Sequence, residues 1–230
     1  MAQKALNLED IVAGNIIQTK GIGSMTWLKD GERYSRLENN KQTGGTDIVA
    51  YRAKDNSREV IIPSSLLTDK STGRPIPVRS VSWSADNEKV LIYNNTRRVW
   101  RYDTRGDYWV LNLKDGALRQ LGKGMPESSM MFAKFSPDGT RVAYVSNNNI
   151  YVEDIDSGKI TQLTKDGSDT IVNGTFDWVY EEEFSCRDGF RWSPDGKHIA
   201  YWQSDTKGTG VFDIINNVDS IYAKVIHFPY

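Results

Sequence analysis

The chain has almost no cysteine or histidine. Its 230 residues include one cysteine, Cys186, and two histidines, His198 and His227. A single cysteine excludes an internal disulfide framework. Because no activating base is near it in sequence, we interpret Cys186 as a bystander rather than a nucleophile. Two histidines and no Cys/His spacing give no zinc pattern, so we expect no metal and no other cofactor.

Net charge and long apolar runs are also lacking. Lysine and arginine total 29 against 30 acidic residues. Without a basic stripe, a nucleic-acid partner is not expected. No apolar run approaches 18 residues, so the sequence predicts no membrane-spanning helix. The first residues carry no signal-peptide hydrophobic region. Such a start fits a cytosolic protein, and equally a mature exported protein given a new start methionine.

A repeated motif organises the chain. It consists of an aromatic residue, two further residues, Asp, and then Gly or Asn, and its copies lie 56, 52 and 57 residues apart. An Asp-Gly or Asp-Asn pair between alternating apolar runs predicts a hairpin turn. The four copies begin at Trp27, Trp83, Phe135 and Trp192.

The third copy predicts four strands, at about 130–135, 141–146, 150–154 and 159–163. Four antiparallel strands at this period are typical of a β-propeller blade. We therefore predict an all-β fold, a partial β-propeller of about four four-stranded blades. The tryptophans of the motif are expected to pack between blades. The repeats lie near 24–63, 80–122, 130–164 and 190–230.

Two segments have no counterpart in the third copy, and insertions on a repeat scaffold often carry function. The first insertion, 94–106, interrupts the second repeat, whose strand we expect at 89–93 and again from about 107. The second insertion runs from 164 to about 189. The charged and aromatic residues of the first insertion are Arg97, Arg98, Trp100, Arg101, Tyr102, Asp103 and Arg105.

The second insertion contains F-D-W-V-Y-E-E-E-F at 176–184, three adjacent carboxylates inside a predicted cage of four aromatics. Adjacent carboxylates repel in low-dielectric surroundings, and a cationic ligand would relieve that cost. The alternative is a solvated acidic run at a helix start, although so much aromatic area argues against it. Consecutive helical residues project about 100° apart. We therefore expect Glu181 to face away, towards a partner of its own, and Tyr180 or Trp178 to pack into the scaffold.

The stretch D-W-V-Y-E-E-E at 177–183, followed by an aromatic residue and then W-S-P-D-G at 192–196, resembles the N-terminal propeller of the dipeptidyl peptidase IV family. Trp100-Arg101 ahead of 108–113, and N-N-I-Y-V at 148–152, support the resemblance. A weaker likeness covers 4–11. In patches, the resemblance spans essentially the whole chain.

The resemblance implies a serine exopeptidase of the prolyl oligopeptidase class. Such enzymes release N-terminal dipeptides whose second residue is proline or alanine, and an eight-bladed propeller is stacked on an α/β-hydrolase domain. Carried over, Glu182 and Glu183 bind the free α-ammonium of the substrate, and Arg101 contacts its first carbonyl. An ammonium offers three N–H donors to such a carboxylate pair.

The resemblance also implies a domain layout and partners. Residues 1–18 form a strap that would pack on the hydrolase domain, and 19–230 form the partial propeller. The stretch 211–230 aligns with an arm that contributes to dimer contacts, so we expect a homodimer. The resemblance further implies export, either to the periplasm or out of the cell.

The chain departs from the pattern in two places. Residues 185–191 match no family role, and no G-x-S-x-G nucleophile elbow is present. We therefore expect the catalytic triad to be missing and the 230-residue chain to be inactive alone. Two alternatives stay open: a complete four-bladed propeller acting as a non-enzymatic binding or scaffold module, and an inactive homologue that keeps Glu182 and Glu183. A downstream G-x-S-x-G in the gene would favour the peptidase, and a stop codon would favour the scaffold.

Overall fold

The computed structural model describes residues 7, 8, 12, 21, 23–99 and 101–229, with the backbone alone at 228 and 229. This part of the chain is built almost wholly of antiparallel strands. The strap predicted at 1–18 lies outside the described residues except for Asn7, Leu8 and Val12. The division into strap and propeller therefore stays a prediction.

Each of the first three repeats forms a four-stranded antiparallel sheet, which confirms the all-β propeller architecture. The first sheet comprises β1 (Thr26–Trp27), β2 (Arg33–Asn39), β3 (Thr46–Arg52) and β4 (Arg58–Ile62). A 3-10 helix (Ser64–Leu67) and a small hairpin, β5 (Thr68–Asp69) with β6 (Arg74–Pro75), follow it. The second sheet comprises β7 (Ser80–Trp83), β8 (Lys89–Val99), β9 (Tyr102–Asn112) and β10 (Leu118–Gln120). The third comprises β11 (Met131–Phe135), β12 (Arg141–Ser146), β13 (Asn149–Asp154) and β14 (Ile160–Gln162).

The fourth repeat differs from the first three, because its strands form separate two-stranded ladders. Its inner strands pair with each other, but the next strand pairs with one from the second insertion, and the chain then leaves as a hairpin. The predicted short helix in the second insertion is confirmed. The elements are β15 (Ile171–Asn173), α1 (Trp178–Phe184), β16 (Phe190–Trp192), β17 (Ile199–Tyr201), β18 (Gln203–Asp205), β19 (Val211–Asn216) and β20 (Lys224–Pro229).

The repeated motif makes the same turn four times. The residue after its Asp has positive φ in every copy, between 60° and 68° at Gly31, Asn87, Gly139 and Gly196. Only glycine and, less readily, asparagine adopt this conformation at low cost. The Asp itself ties the turn together, as where Asp138 accepts the amide hydrogen of Thr140 at 3.1 Å. The hairpin interpretation of the motif is thereby confirmed.

These turns predict acid sensitivity. The hydroxyl of Ser136 holds the pKa of Asp138 at about 2, below the value of about 3.9 in an unfolded chain. Because the folded pKa is the lower one, the carboxylate stabilises the fold above pH 4, and this contribution is lost as the pH falls towards 2. We expect D138N to lower the melting temperature at pH 7, as followed by circular dichroism. Between pH 4 and pH 2, the melting temperature of D138N should fall less than that of the wild type. Parallel melting profiles for the two proteins would contradict this assignment.

Hydrophobic clusters lie between successive sheets. One joins the first and second sheets through Ile48 and Val90, a second joins the next pair through Val110 and Tyr144, and the third packs Phe190 of β16 against the third sheet. A blade buries its faces only against its neighbours, as expected for a repeat fold. Within the described ranges, no strand pairing connects the first sheet with the last, so this part of the chain forms an open arc.

Two motif tryptophans reach the neighbouring blade. The indole N–H of Trp83 donates to the Ser35 hydroxyl at 3.1 Å, and that of Trp192 donates to the Lys134 carbonyl at 3.3 Å. Trp27, at the start of the arc, is 61% exposed. Inter-blade packing is therefore confirmed for Trp83 and Trp192.

The first insertion continues the second sheet, and the predicted break between 93 and 107 is wrong. Strands β8 and β9 stay paired beyond Asn94 and Asp107, as far as Val99 opposite Tyr102. Register shifts flank Arg97 and absorb the unequal residue counts of the two strands, as β-bulges do. Arg101 therefore stands at the tip of a stiff, extended hairpin.

Candidate functional site

Helix α1 is a single short unit with defined ends. The Asp177 carboxylate accepts the Tyr180 amide hydrogen at 3.1 Å and caps the first turn. Ser185 ends the helix in a left-handed conformation, with φ of 51°, and the Cys186 amide then donates to the Tyr180 carbonyl at 3.0 Å. These caps hold the three glutamates in a fixed orientation.

The three adjacent carboxylates have three different surroundings. Glu181 is buried and forms an ion pair with Arg187 at 3.1 Å. Glu182 is 24% exposed and pairs with Arg101 at 2.6 Å, whereas Glu183 is exposed. The expected partner for Glu181 is therefore present, and two of the sequence-predicted site residues, Arg101 and Glu182, are in direct contact.

The position of Glu182 and Glu183 on α1 favours a cation. Both lie in its last turn, where the helix contributes no basic residue. The C-terminal end of a helix carries a partial negative charge, which destabilises anions there and stabilises cations. Arg101 supplies one positive charge through a single pair with Glu182. A carboxylate accepts several hydrogen bonds, so the site retains capacity for a second donor.

The aromatic residues form a stripe rather than a cage around the carboxylates. The rings of Phe176 and Tyr180 stack at 5.1 Å, those of Tyr180 and Phe184 lie 5.6 Å apart, and Phe176 contacts Trp202 at 5.9 Å. Residues four apart share one side of a helix, so the aromatics group together and away from Glu181. Tyr180 stacks on Phe176, which contacts Trp202, but Tyr180 itself is 41% exposed, whereas Trp178 is half-buried. The expected packing of Tyr180 or Trp178 into the scaffold therefore stays a prediction.

Arg187 is a site residue that the sequence did not reveal. One of its nitrogens, Nη2, donates to the Thr104 hydroxyl at 2.8 Å and also pairs with Glu181. Its guanidinium lies over the ring of Tyr102, 4.8 Å from the ring centre. Burial lowers the pKa of Arg187, and the Glu181 charge opposes that shift. The only sequence signal was an arginine in the unmatched stretch 185–191, since Thr104 lies 83 residues away.

The base of the first insertion is anchored to the third blade. Asp107 accepts hydrogen bonds from the Ser128 amide at 2.8 Å and the Asn95 side chain at 2.7 Å. Gly106 exchanges two backbone hydrogen bonds with Met130. Burial raises the pKa of Tyr93 to about 12, and its hydroxyl donates to the Asp103 carbonyl at 2.9 Å. The hairpin that presents Arg101 is thus braced on both strands.

A cavity of about 550 Å³ lies beside α1. Cys186 contributes an exposed thiol to its wall. Asp188 pairs there with Arg191 at 2.9 Å and with Lys134 from the third blade. Burial lowers the pKa of Lys134 to about 8, against the effect of Asp188. The remaining wall is mostly aromatic, from Phe176, Phe190, Tyr201 and Trp202.

The fold and the site together define an open β-propeller segment in which an arginine of one insertion contacts a carboxylate of the other. A profile of the family described as "Dipeptidyl peptidase IV (DPP IV) N-terminal region" matches residues 84–230. The chain belongs to this family, as its residues suggested.

Curated relatives and a solved structure agree with this assignment. The protein named "Probable dipeptidyl-aminopeptidase B" in Chaetomium globosum is 36% identical over 135 residues, which cover 58% of this chain and 15% of that protein. A protein of the same name in Talaromyces stipitatus is 29% identical over 221 residues, covering 92% of this chain and 24% of that protein. The crystal structure of Porphyromonas gingivalis dipeptidyl peptidase 4 superposes with a TM-score of 0.81 at 24% identity, covering 100% of this chain and 32% of that one.

The chain spans less than a quarter of the length of these two curated relatives. Because its sequence identity is only 24%, the structural match supports the fold alone. Within the described residues, no helix is both long and apolar enough to cross a membrane.

Proposed function

We propose that this chain is the substrate-recognition part of a serine exopeptidase that releases N-terminal dipeptides. Glu182 and Glu183 bind the free α-ammonium of the substrate, and Arg101 holds the carbonyl end of the same dipeptide. The observation that carries the proposal is the 2.6 Å pair between Arg101 and Glu182, which joins the two insertions at the C-terminal end of α1.

The carboxylate pair sets how many substrate residues lie between the free amine and the scissile bond. An ammonium bound there forms charge-assisted hydrogen bonds, whereas an acylated amine has lost both the charge and two of its donors. A substrate with an acylated amine forfeits these charge-assisted hydrogen bonds and therefore binds more weakly. The substrate must therefore end where its amine docks, and only two residues extend from that point to the scissile bond.

Catalysis belongs to an α/β-hydrolase region outside these 230 residues, because the chain contains no G-x-S-x-G elbow. The full-length protein should cleave a glycyl-prolyl anilide reporter, and the purified 230-residue chain should not. Cleavage by the chain alone, at a rate abolished by a serine-directed inhibitor, would contradict this division of roles. The full-length protein is expected in an exported fraction, and its recovery only from the cytosol would argue against export.

The hairpin β19–β20 is proposed to contact a second copy of the protein. An isolated two-stranded hairpin is marginally stable in water, and this one exposes an apolar surface of the kind that marks an interface. Its exposed apolar residues are Val211, Phe212, Ile214, Ile215, Val218, Ile221, Tyr222, Val225 and Ile226.

We expect the double variant V218T/I221T to shift the full-length protein from dimer towards monomer in analytical ultracentrifugation. The two side chains are 87% and 98% exposed, so the substitutions should not disturb the folded chain. V60T, at an exposed valine of β4, is the matched control and should leave the dimer intact. An unchanged dimer in V218T/I221T would exclude the hairpin tip from the interface.

A further inference from the structure

Residues outside the ammonium site connect the two insertions that build it. The buried guanidinium of Arg187, 16% exposed, contacts Glu181 on α1 and both Thr104 and Tyr102 on the first insertion. These contacts are additional to the Arg101–Glu182 pair. They reach the same junction through Glu181, whose side chain projects about 100° away from that of Glu182.

The contribution to folding stability alone does not explain the Arg187–Glu181 ion pair. Withdrawing two charges from water costs about as much as their attraction returns. Here the guanidinium is also incompletely paired, because Nε and Nη1 of Arg187 and Oε1 of Glu181 are buried without a hydrogen-bond partner among the residues that the structure describes. A well-packed apolar pair would stabilise the fold at least as well. The arrangement instead defines a specific geometry between two chain segments.

We propose that Arg187 is a positioning residue that sets the distance between the amine-binding carboxylates and Arg101. This inference rests on the proposed function. Glu181 directly precedes Glu182 on α1, and Tyr102 directly follows Arg101 on the hairpin. Fixing Glu181 against Tyr102 and Thr104 therefore fixes Glu182 and Glu183 relative to Arg101. The spacing matters because the two groups bind the amine and the first carbonyl of one dipeptide.

The test uses the full-length peptidase of the proposed function with a glycyl-prolyl anilide reporter. R187M removes the contacts with Glu181, Thr104 and Tyr102. We expect a KM increase that lowers kcat/KM by about 10- to 100-fold, the effect of a displacement near 1 Å. T104V removes only the hydrogen bond that the Arg187 guanidinium donates to the Thr104 hydroxyl and leaves the ion pair with Glu181 in place, so it should raise KM less than R187M does. R187K keeps the charge but lacks the planar fork, so its KM should lie between those of the wild type and R187M.

Arg191 provides the matched control. It lies four residues further along, is 66% exposed and pairs with Asp188 rather than with α1. R191M should therefore leave KM unchanged. A purely structural role for Arg187 would reduce the fraction of active enzyme, which lowers the apparent kcat and leaves KM constant. If R187M does not fold, R187K and T104V carry the same test.

E182Q, measured beside these variants, separates the two proposals. If E182Q raises KM and the Arg187 and Thr104 variants do not, the positioning role is wrong and the ammonium site stands. If E182Q itself leaves KM unchanged, the proposed function fails. Increases in KM for E182Q, R187M and T104V, with R191M unchanged, support both.

Discussion

Replacing Glu182 and Glu183 together with glutamine is expected to lower kcat/KM of the full-length peptidase for a free-amine dipeptide reporter by about 100-fold or more. In the proposed complex each carboxylate accepts a hydrogen bond from the substrate ammonium, an interaction worth about 1.5–3 kcal/mol, and each 1.4 kcal/mol corresponds to a factor of ten. Glutamine keeps the size of the side chain and removes its charge. The helix should therefore persist, since neither residue is its N-cap.

The control for this double variant is E59Q. Glu59 lies on β4 and is 65% exposed in a surface pair with Arg33. Pairs of this kind contribute little to stability, so E59Q should retain wild-type kinetics. Activity within a factor of two of wild type in the E182Q/E183Q enzyme would show that the carboxylates do not bind the substrate.

Replacing Gly106 with alanine is expected to destabilise the propeller by about 1–3 kcal/mol, the usual cost of overpacking. A Cβ at this position would lie 2.6 Å from the Asn94 carbonyl oxygen and against the ring of Tyr93. Neither can move freely, because Asn94 lies on the paired strand and Tyr93 stacks on Tyr108 at 4.7 Å. Since Gly106 is at the base of the hairpin, Arg101 should also be displaced, so the loss of kcat/KM should accompany the fall in melting temperature.

Gly21→Ala is the comparison for this variant. Among the described residues, a Cβ at Gly21 would meet no atom closer than 4.0 Å, so the melting temperature of this variant should match that of the wild type. Differential scanning calorimetry of the two alanine variants gives the difference directly. Equal melting temperatures for the two alanine variants would contradict the close packing around Gly106.

The blades could be predicted from the sequence because their signals are local. An Asp followed by Gly or Asn specifies a turn through backbone conformation alone, and alternating apolar residues then give the strands. The third blade agrees to within a residue or two at each strand end, with β12 at Arg141–Ser146 as predicted. That Glu181 turns to a partner of its own also followed from helix geometry, whereas the different surroundings of Glu182 and Glu183 did not.

The remaining features depend on contacts between distant residues. The extension of β8 and β9 requires β-bulges beside Arg97, and no residue pattern in the sequence predicts these bulges. Arg187 donates a hydrogen bond to Thr104, which lies 83 residues earlier in the chain. The sequence alone could therefore not predict this contact. The prediction of an aromatic cage was wrong because proximity along the chain does not give proximity in space: the rings of Tyr180 and Phe184 on α1 and of Phe176 just before it stack on one another in a row.

The central claim is that the site recognises a free α-ammonium, and one comparison tests it most directly. The full-length protein should be assayed with a glycyl-prolyl anilide and with the same compound acetylated at its amine. Acetylation removes the charge and two of the three donors while the scissile bond stays the same. We predict that kcat/KM falls by about 100-fold or more on acetylation. Equal values for the two substrates would contradict the assignment of Glu182 and Glu183.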